Sequence, residues 1–291
     1  MTPALALSFN ALVWGTSWWP MRQLAAAGLH PLWATAIIYA VAVGAILLAR
    51  PRAAALVVRT PALWVLVLAA GITNAAFNWG MVVGDVVRVI LLFYLMPLWT
   101  VFLARVLLRE PITRYAAARV LLALFGAMVV LWPPGGGLDA LPWPQSLADW
   151  LGLVGGASFA LNNVMLRREA GRSAEGPALA MFLGGALVCA PLATAMAGAG
   201  ALPWPPLPQV GWVMLVLAMA MLYLAGNLSL QYGASRLPAN VTSVVMLTEV
   251  LFAAVSALAL GGGELTGQLL FGGGLILAAA LLSALGRDTS H

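Results

Sequence analysis

The chain contains no lysine: all 14 of its basic residues are arginine. Among its 291 residues it also has only one cysteine, Cys189, two histidines and nine acids. A single thiol cannot form an intrachain disulfide and is not a metal site. His30 and His291 lie at segment ends, and there is no H-E-x-x-H, no Gly-Lys-Ser/Thr phosphate loop and no Ser-His or paired-acid set inside an apolar run. No metal, cofactor or catalytic group is therefore expected, and the enzyme classes that need them are set aside. Charge is scarce as well, at 8% of residues. A soluble protein of this size could not cover its surface with so few charges. A net charge of +5 would suggest a nucleic acid partner for a soluble chain. Here the arginines sit in short loops between apolar runs, so they read as topology signals, and no nucleic acid is expected. The start, MTPALALS, lacks a basic region ahead of its apolar run, so the first segment is expected to stay as a helix.

What the chain has in abundance is apolar sequence, 63% of residues. Ten apolar segments of roughly 20 residues each suffice to cross a ~30 Å hydrocarbon core. They fall near 4–26, 32–50, 62–83, 86–107, 115–133, 148–167, 176–197, 209–230, 239–260 and 267–286. The expected class is an all-α polytopic membrane protein with ten transmembrane helices in a lipid bilayer. A Pro/Gly-rich connection, 134–147, divides residues 1–133 from residues 148–291.

Two further patterns organise the bundle. With a cytoplasmic N-terminus, the inside loops hold Arg50, Arg52, Arg59, Arg105, Arg109, Arg114, Arg119, Arg167, Arg168, Arg172, Arg236 and Arg287. Only Arg22 and Arg88 fall outside, beside Asp85, Asp139, Asp149 and Glu264. This bias places both termini in the cytoplasm. The second pattern is a repeat. NAAFNWG at 74–80 and NLSLQYG at 227–233 match at an offset of 153, Asn74 on Asn227, Asn78 on Gln231 and Trp79 on Tyr232. By place in the segment order rather than by a fixed offset, Arg22 after the first segment matches Arg167 after the sixth, Pro31 matches Pro177, and Glu110 after the fourth matches Glu264 after the ninth. With five helices per half, the second half enters from the opposite side, so the two five-helix repeats are inverted and a binding site is expected between them.

The candidate site residues follow from what is costly inside a membrane. Glu249 is the one acid deep in a segment, and an intramembrane acid is a functional hypothesis by default. It would hold a substrate ammonium or carry a proton; the plainer alternative is a hydrogen-bonded structural residue. Asn74, Asn78, Asn162, Asn163, Asn227, Asn240 and Gln231 need partners, which interhelical hydrogen bonds or a lined cavity would supply. Trp33, Trp64, Trp132, Trp143, Trp150, Trp204 and Trp212 lie near segment ends, as interfacial indoles do. Trp14, Trp18, Trp19, Trp79 and Trp99 do not. Asn10, Trp14 and Trp18 are spaced by four and are expected on one helical face. Tyr39, Tyr94 and Tyr223 are mid-segment, and Met21, Met81, Met96, Met165, Met181 and Met246 offer adaptable walls. Pro20, Pro97 and Pro191 interrupt helices, and Gly71, Gly80, Gly84 and Gly261–Gly263 loosen others.

These residues also carry a resemblance. L-V-W-G-T-S-W-W at 12–19, D-V-V-R-V-I-L-L-F-Y-L-M-P-L-W at 85–99 and R-E-P at 109–111 have a second-half counterpart in Y-G-A-S-R-L-P-A-N-V-T-S-V-V-M-L-T-E-V at 232–250 and G-E-L at 263–265. With them the chain resembles the drug/metabolite transporter superfamily, EamA type, over nearly its whole length. Its Trp-rich first helix is similar to that of the aromatic amino acid exporters. The resemblance implies ten helices in two inverted repeats, cytoplasmic termini and export of small metabolites. It departs in lacking a basic residue in the second helix, where Tyr39 is the nearest polar group, and in having Val250 where a proline often follows the glutamate. The resulting expectation is an exporter of amino acids, aromatic ones included, in the bacterial inner membrane. Trp14, Trp18, Tyr39, Asn74, Asn78, Trp79, Tyr94, Trp99, Asn162, Asn163, Tyr223, Asn227 and Glu249 would line its central cavity. An exporter of lipophilic cationic drugs and a non-transporting sensor or scaffold are the rivals. Oligomeric state is left open, a monomer being sufficient.

Overall fold

The computed structural model describes residues 2–83, 89, 92–132, 135–137, 144, 146–260 and 266–285, and among these it contains helices and no strand. Gly84, Asp85, Arg88, Asp139, Trp143, Gly261–Gly263, Glu264, Arg287 and His291 lie outside the described residues, as does most of the 134–147 connection. The helices are α1 (Pro3–Thr16), α2 (Trp18–Ala26), α3 (Pro31–Ala49), α4 (Arg52–Arg59), α5 (Pro61–Val83), α6 (Met96–Leu107), α7 (Arg114–Leu131), α8 (Leu147–Arg168), α9 (Glu175–Gly198), α10 (Val210–Ala234), α11 (Ala239–Met246), α12 (Glu249–Ala259) and α13 (Gly267–Leu285). Pro31–Ala49, Pro61–Gly80, Glu175–Gly198 and Val210–Ala234 are long and apolar enough to cross a membrane by length and composition. The protein is thus a multi-pass, helical membrane protein.

Local chemistry sets the helix starts. Thr2 accepts from the Leu5 N–H at 3.3 Å and Thr113 from Ala116 at 3.1 Å. Ser146 and Asp149 form a reciprocal capping box at the head of α8.

Three of the ten expected spans are not continuous helices. Segment 4–26 breaks between α1 and α2: the Ser17 N–H and hydroxyl both reach the Trp14 carbonyl, at 3.1 and 2.7 Å. Pro20 lacks the N–H that would have continued the ladder to Thr16. In 86–107, the chain turns at Tyr94 and Leu95 before α6, which carries Pro97 in its first turn. Segment 239–260 breaks at Leu247 and Thr248 with no proline present; there the Thr248 hydroxyl takes the Val245 carbonyl at 2.8 Å. Stretch 50–61, expected as a loop, holds the short helix α4, whose Ala53 and Val57 are buried where it packs on α9.

The main helix pairings join residues 1–133 to residues 148–291. α5 packs on α8 and α9, α3 on α9 and α10, α1 on α10 and α12, α6 on α8, and α7 on α13. The α7–α13 contact is close and reciprocal. A Cβ on Gly126 would lie 2.8 Å from the Gly272 carbonyl oxygen, and one on Gly272 2.7 Å from that of Gly126. Gln268 Nε2 donates to the Val129 and Trp132 carbonyls at 2.5 and 2.7 Å, and Arg119 to the Leu282 carbonyl at 3.2 Å, so each helix caps the other's last turn.

Candidate functional site

The breaks and crossings leave a central cavity of about 60 Å³. It is lined by Trp14 of α1, Tyr39 of α3, Asn74 and Phe77 of α5, Phe93 shortly before α6, Phe159 and Asn162 of α8, Met181 of α9, Asn227 of α10 and Glu249 of α12, with Ala70, Thr73 and Leu230 filling in.

Its polar groups are shared across helices. The Tyr39 hydroxyl donates to Asn74 Oδ1 at 3.0 Å and also meets the Asn227 side chain. Asn74 and Asn227, the matched asparagines of the two halves, therefore converge on one hydroxyl. Asn74 Nδ2 is spent on the Ala70 carbonyl of its own helix at 2.8 Å. Asn227 Nδ2, a neighbour of the Tyr39 hydroxyl, is buried without a well-formed hydrogen bond. Glu249 is half-buried and opens α12. The Tyr94 hydroxyl is its hydrogen-bonding partner. Glu249 is brought there by close packing: a Cβ on Gly15 would stand 2.7 Å from the Glu249 carbonyl oxygen and 2.8 Å from Phe252 Cβ. Only a glycine lets α12 approach α1 this closely.

The apolar walls are aromatic. Phe93 meets Phe77 edge-on at 4.9 Å and lies over Phe159 at 5.8 Å. Trp14 stacks on Tyr223 at 4.6 Å, with Tyr223 behind it and outside the lining. Among the described residues no cluster of His, Cys, Asp and Glu would hold a metal.

Of the expected site residues, the structure brings Trp14, Tyr39, Asn74, Asn162, Asn227 and Glu249 to the cavity and sets Tyr94 against Glu249. It places the others elsewhere. Trp18 does not share the face of Trp14, because the tight turn at Ser17 changes the helical register; its Nε1 donates to Ser256 Oγ at 2.9 Å. Asn10 is also off the cavity, buried against Gly226. Asn78 Nδ2 donates to Thr35 Oγ1 at 2.6 Å and ties α5 to α3. Trp79 lies half-buried two residues past Phe77, on another side of α5. Trp99 is 39% exposed on the outer surface of α6. Asn163 is buried beside Asn162, whose Nδ2 points to its Oδ1 at 3.5 Å. The phenylalanines Phe77, Phe93 and Phe159 are functional candidates that sequence reasoning missed. The available signal was helical spacing, Phe77 three after Asn74 and Phe159 three before Asn162.

Residues 1–132 match the EamA-like transporter family, part of the drug/metabolite transporter superfamily. The match takes in the 12–19, 85–99 and 109–111 motifs. A solved structure described only as "Crystal structure of protein" superimposes with a TM-score of 0.76, covering 97% of each chain at 19% identity. At that identity the likeness speaks to the fold alone. No curated protein matches the chain.

Proposed function

We propose that the whole chain is an EamA-type transporter of the bacterial inner membrane that exports amino acids, aromatic ones among them. Two inverted five-helix repeats, 1–133 and 148–291, would rock about the central cavity to alternate access, with both termini in the cytoplasm. Helix starts support the repeat. α6 and α12 begin at Met96 and Glu249, α7 and α13 at Arg114 and Gly267, and both pairs keep the offset of the asparagine motif (249 less 96, 267 less 114). The pairings support it too. Exchanging the halves turns α5–α8 into α10–α1, α5–α9 into α10–α3 and α6–α8 into α12–α1, all of which are found.

The observation that carries the substrate reading is the Asn227 amide donor, buried without a well-formed hydrogen bond, on the same cavity as the Glu249 carboxyl. A zwitterion satisfies both: its ammonium meets Glu249 and its carboxylate accepts from Asn227. The aromatic wall then takes the side chain. A second reading, export of lipophilic cations, is favoured by the lone acid among aromatic walls, and leaves the Asn227 donor unused. Flux in proteoliposomes, screened across amino acids with and without a pH gradient, tests the choice. Flux of aromatic amino acids is expected; movement of lipophilic cations and of no amino acid would overturn the reading.

A further inference from the structure

At the end of the bundle where α6, α8 and α10 finish, three chain segments are tied together. Glu110, which follows α6, pairs with Arg167 near the end of α8 at 3.9 Å. Glu110 Oε2 also accepts from the Ala239 N–H at the head of α11, at 3.3 Å. Arg167 Nη1 donates to the carbonyl of Ser235, the residue after α10, at 2.8 Å. The knot joins a residue of the first half to three positions of the second.

Between this knot and the cavity lies a run of buried polar side chains with atoms that make no well-formed hydrogen bond. Asn10 of α1 lacks one at both amide atoms, Asn163 of α8 and Asn227 of α10 at Nδ2, and Thr242 of α11 at its hydroxyl. Asn10, Asn163 and Thr242 are completely buried. Their helices pack on one another, α11 touching α1, α8 and α10. Each side chain lies three to seven residues from the end of its helix at this side of the bundle, at most about 11 Å along the helix axis. The N-terminus of α1 belongs to this end too, since the Pro3 carbonyl and the Leu7 side chain crowd Gly233. The run meets the cavity at Asn162 and Asn227, which line it.

A packed interior avoids polar groups without partners, and apolar side chains would fill this space better. Polar groups at these positions make sense where water reaches them in another conformation. We propose that α1, α8, α10 and α11 enclose the closed route from the cavity to this end, and that Glu110, Arg167, Ser235 and the head of α11 form the clasp that keeps it shut. Opening would separate Glu110 from Arg167 and from Ala239, and would hydrate Asn163, Asn10 and Thr242. The proposal rests on the transport reading, but its test does not depend on flux.

The test uses Thr242→Cys in the full chain, reconstituted in nanodiscs so that both faces are accessible. A small water-soluble maleimide is applied, and labelling is read by mass spectrometry. The native Cys189, fully buried on α9, stays in place and reports general loosening. In the otherwise native chain the cysteine of Thr242→Cys should react slowly. Adding Glu110→Gln, which keeps an acceptor for the Ala239 N–H but removes the charge, should raise its rate by at least about threefold while Cys189 is unchanged. Arg167→Gln should do the same. Unchanged labelling in both variants overturns the clasp, and so does a parallel rise at Cys189, which would mean general loosening. A wild-type chain that moves no substrate, yet labels as expected, would sink the transport reading and leave the clasp standing.

Discussion

Tyr39 on α3 donates its hydroxyl to Asn74 Oδ1 on α5 at 3.0 Å, inside the cavity wall. That bond fixes the asparagine of the first half in the orientation seen. Hydrogen bonds of this kind between membrane helices average about 0.6 kcal/mol. Tyr39→Phe should therefore cost little stability, lowering the melting temperature in detergent by only a few degrees. Flux should fall more than stability, since Asn74 Oδ1 loses its donor and the Asn227 side chain loses a neighbour. Full wild-type flux in Tyr39→Phe would remove this hydroxyl from the site.

Glu249→Gln keeps the shape of the side chain and removes its charge. A charge-assisted bond to an ammonium is worth about 1.5–3 kcal/mol, so flux of every amino acid should fall by about tenfold or more. Expression and thermal stability should hold. Comparing uptake with melting curves separates the two effects, and unaltered uptake would leave Glu249 a packing residue.

The aromatic wall makes a selective prediction. Trp14→Ala or Phe93→Ala should weaken transport of Phe and Trp relative to Thr by about two- to tenfold, since an aromatic contact adds about 0.5–1.5 kcal/mol beyond burial. Asn227→Leu should impair all amino acids alike, because it touches the part they share. Competition assays with paired substrates provide the measurement.

A methyl group at Gly15 would press on the backbone of Glu249 and on Phe252. Gly15→Ala is expected to destabilise the fold by about 1–3 kcal/mol, the usual cost of overpacking, and to displace Glu249 with it. Gly44→Ala is the control, since nothing lies within 4 Å of an added methyl there. Thermal unfolding in detergent should show the first change and not the second.

The proposed topology is tested by a cysteine at Arg52, on α4, in a Cys189→Ala background. It should resist an impermeant thiol reagent added to whole cells and react after the membrane is opened. Labelling from outside would reverse the orientation argued from the arginines.

Much of the bundle could be read from hydropathy and caps, because apolar runs and residues such as Thr113 and Ser146 carry local signals. The asparagines and Glu249 stood out because a polar side chain in hydrocarbon needs a reason. Phe77, Phe93 and Phe159 carry no such mark, since phenylalanine is equally at home against lipid. Trp18 misled for a different reason. Spacing by four assumes an unbroken helix, and the hydroxyl of Ser17 together with Pro20 ends that assumption between Trp14 and Trp18. The break at Thr248 was harder still to foresee, because a hydroxyl does there what Pro97 accompanies in the first half.

The crossing of α7 and α13 bears on how the chain tolerates genetic change. Each of Gly126 and Gly272 faces the other's carbonyl oxygen, so the obstacle to a larger residue at one is backbone at the other. A Gly126→Ala defect cannot be suppressed by trimming its partner, which is already the smallest residue. Second-site revertants would have to arise among the neighbouring side chains, at Leu275 or Ile276, which also border the space.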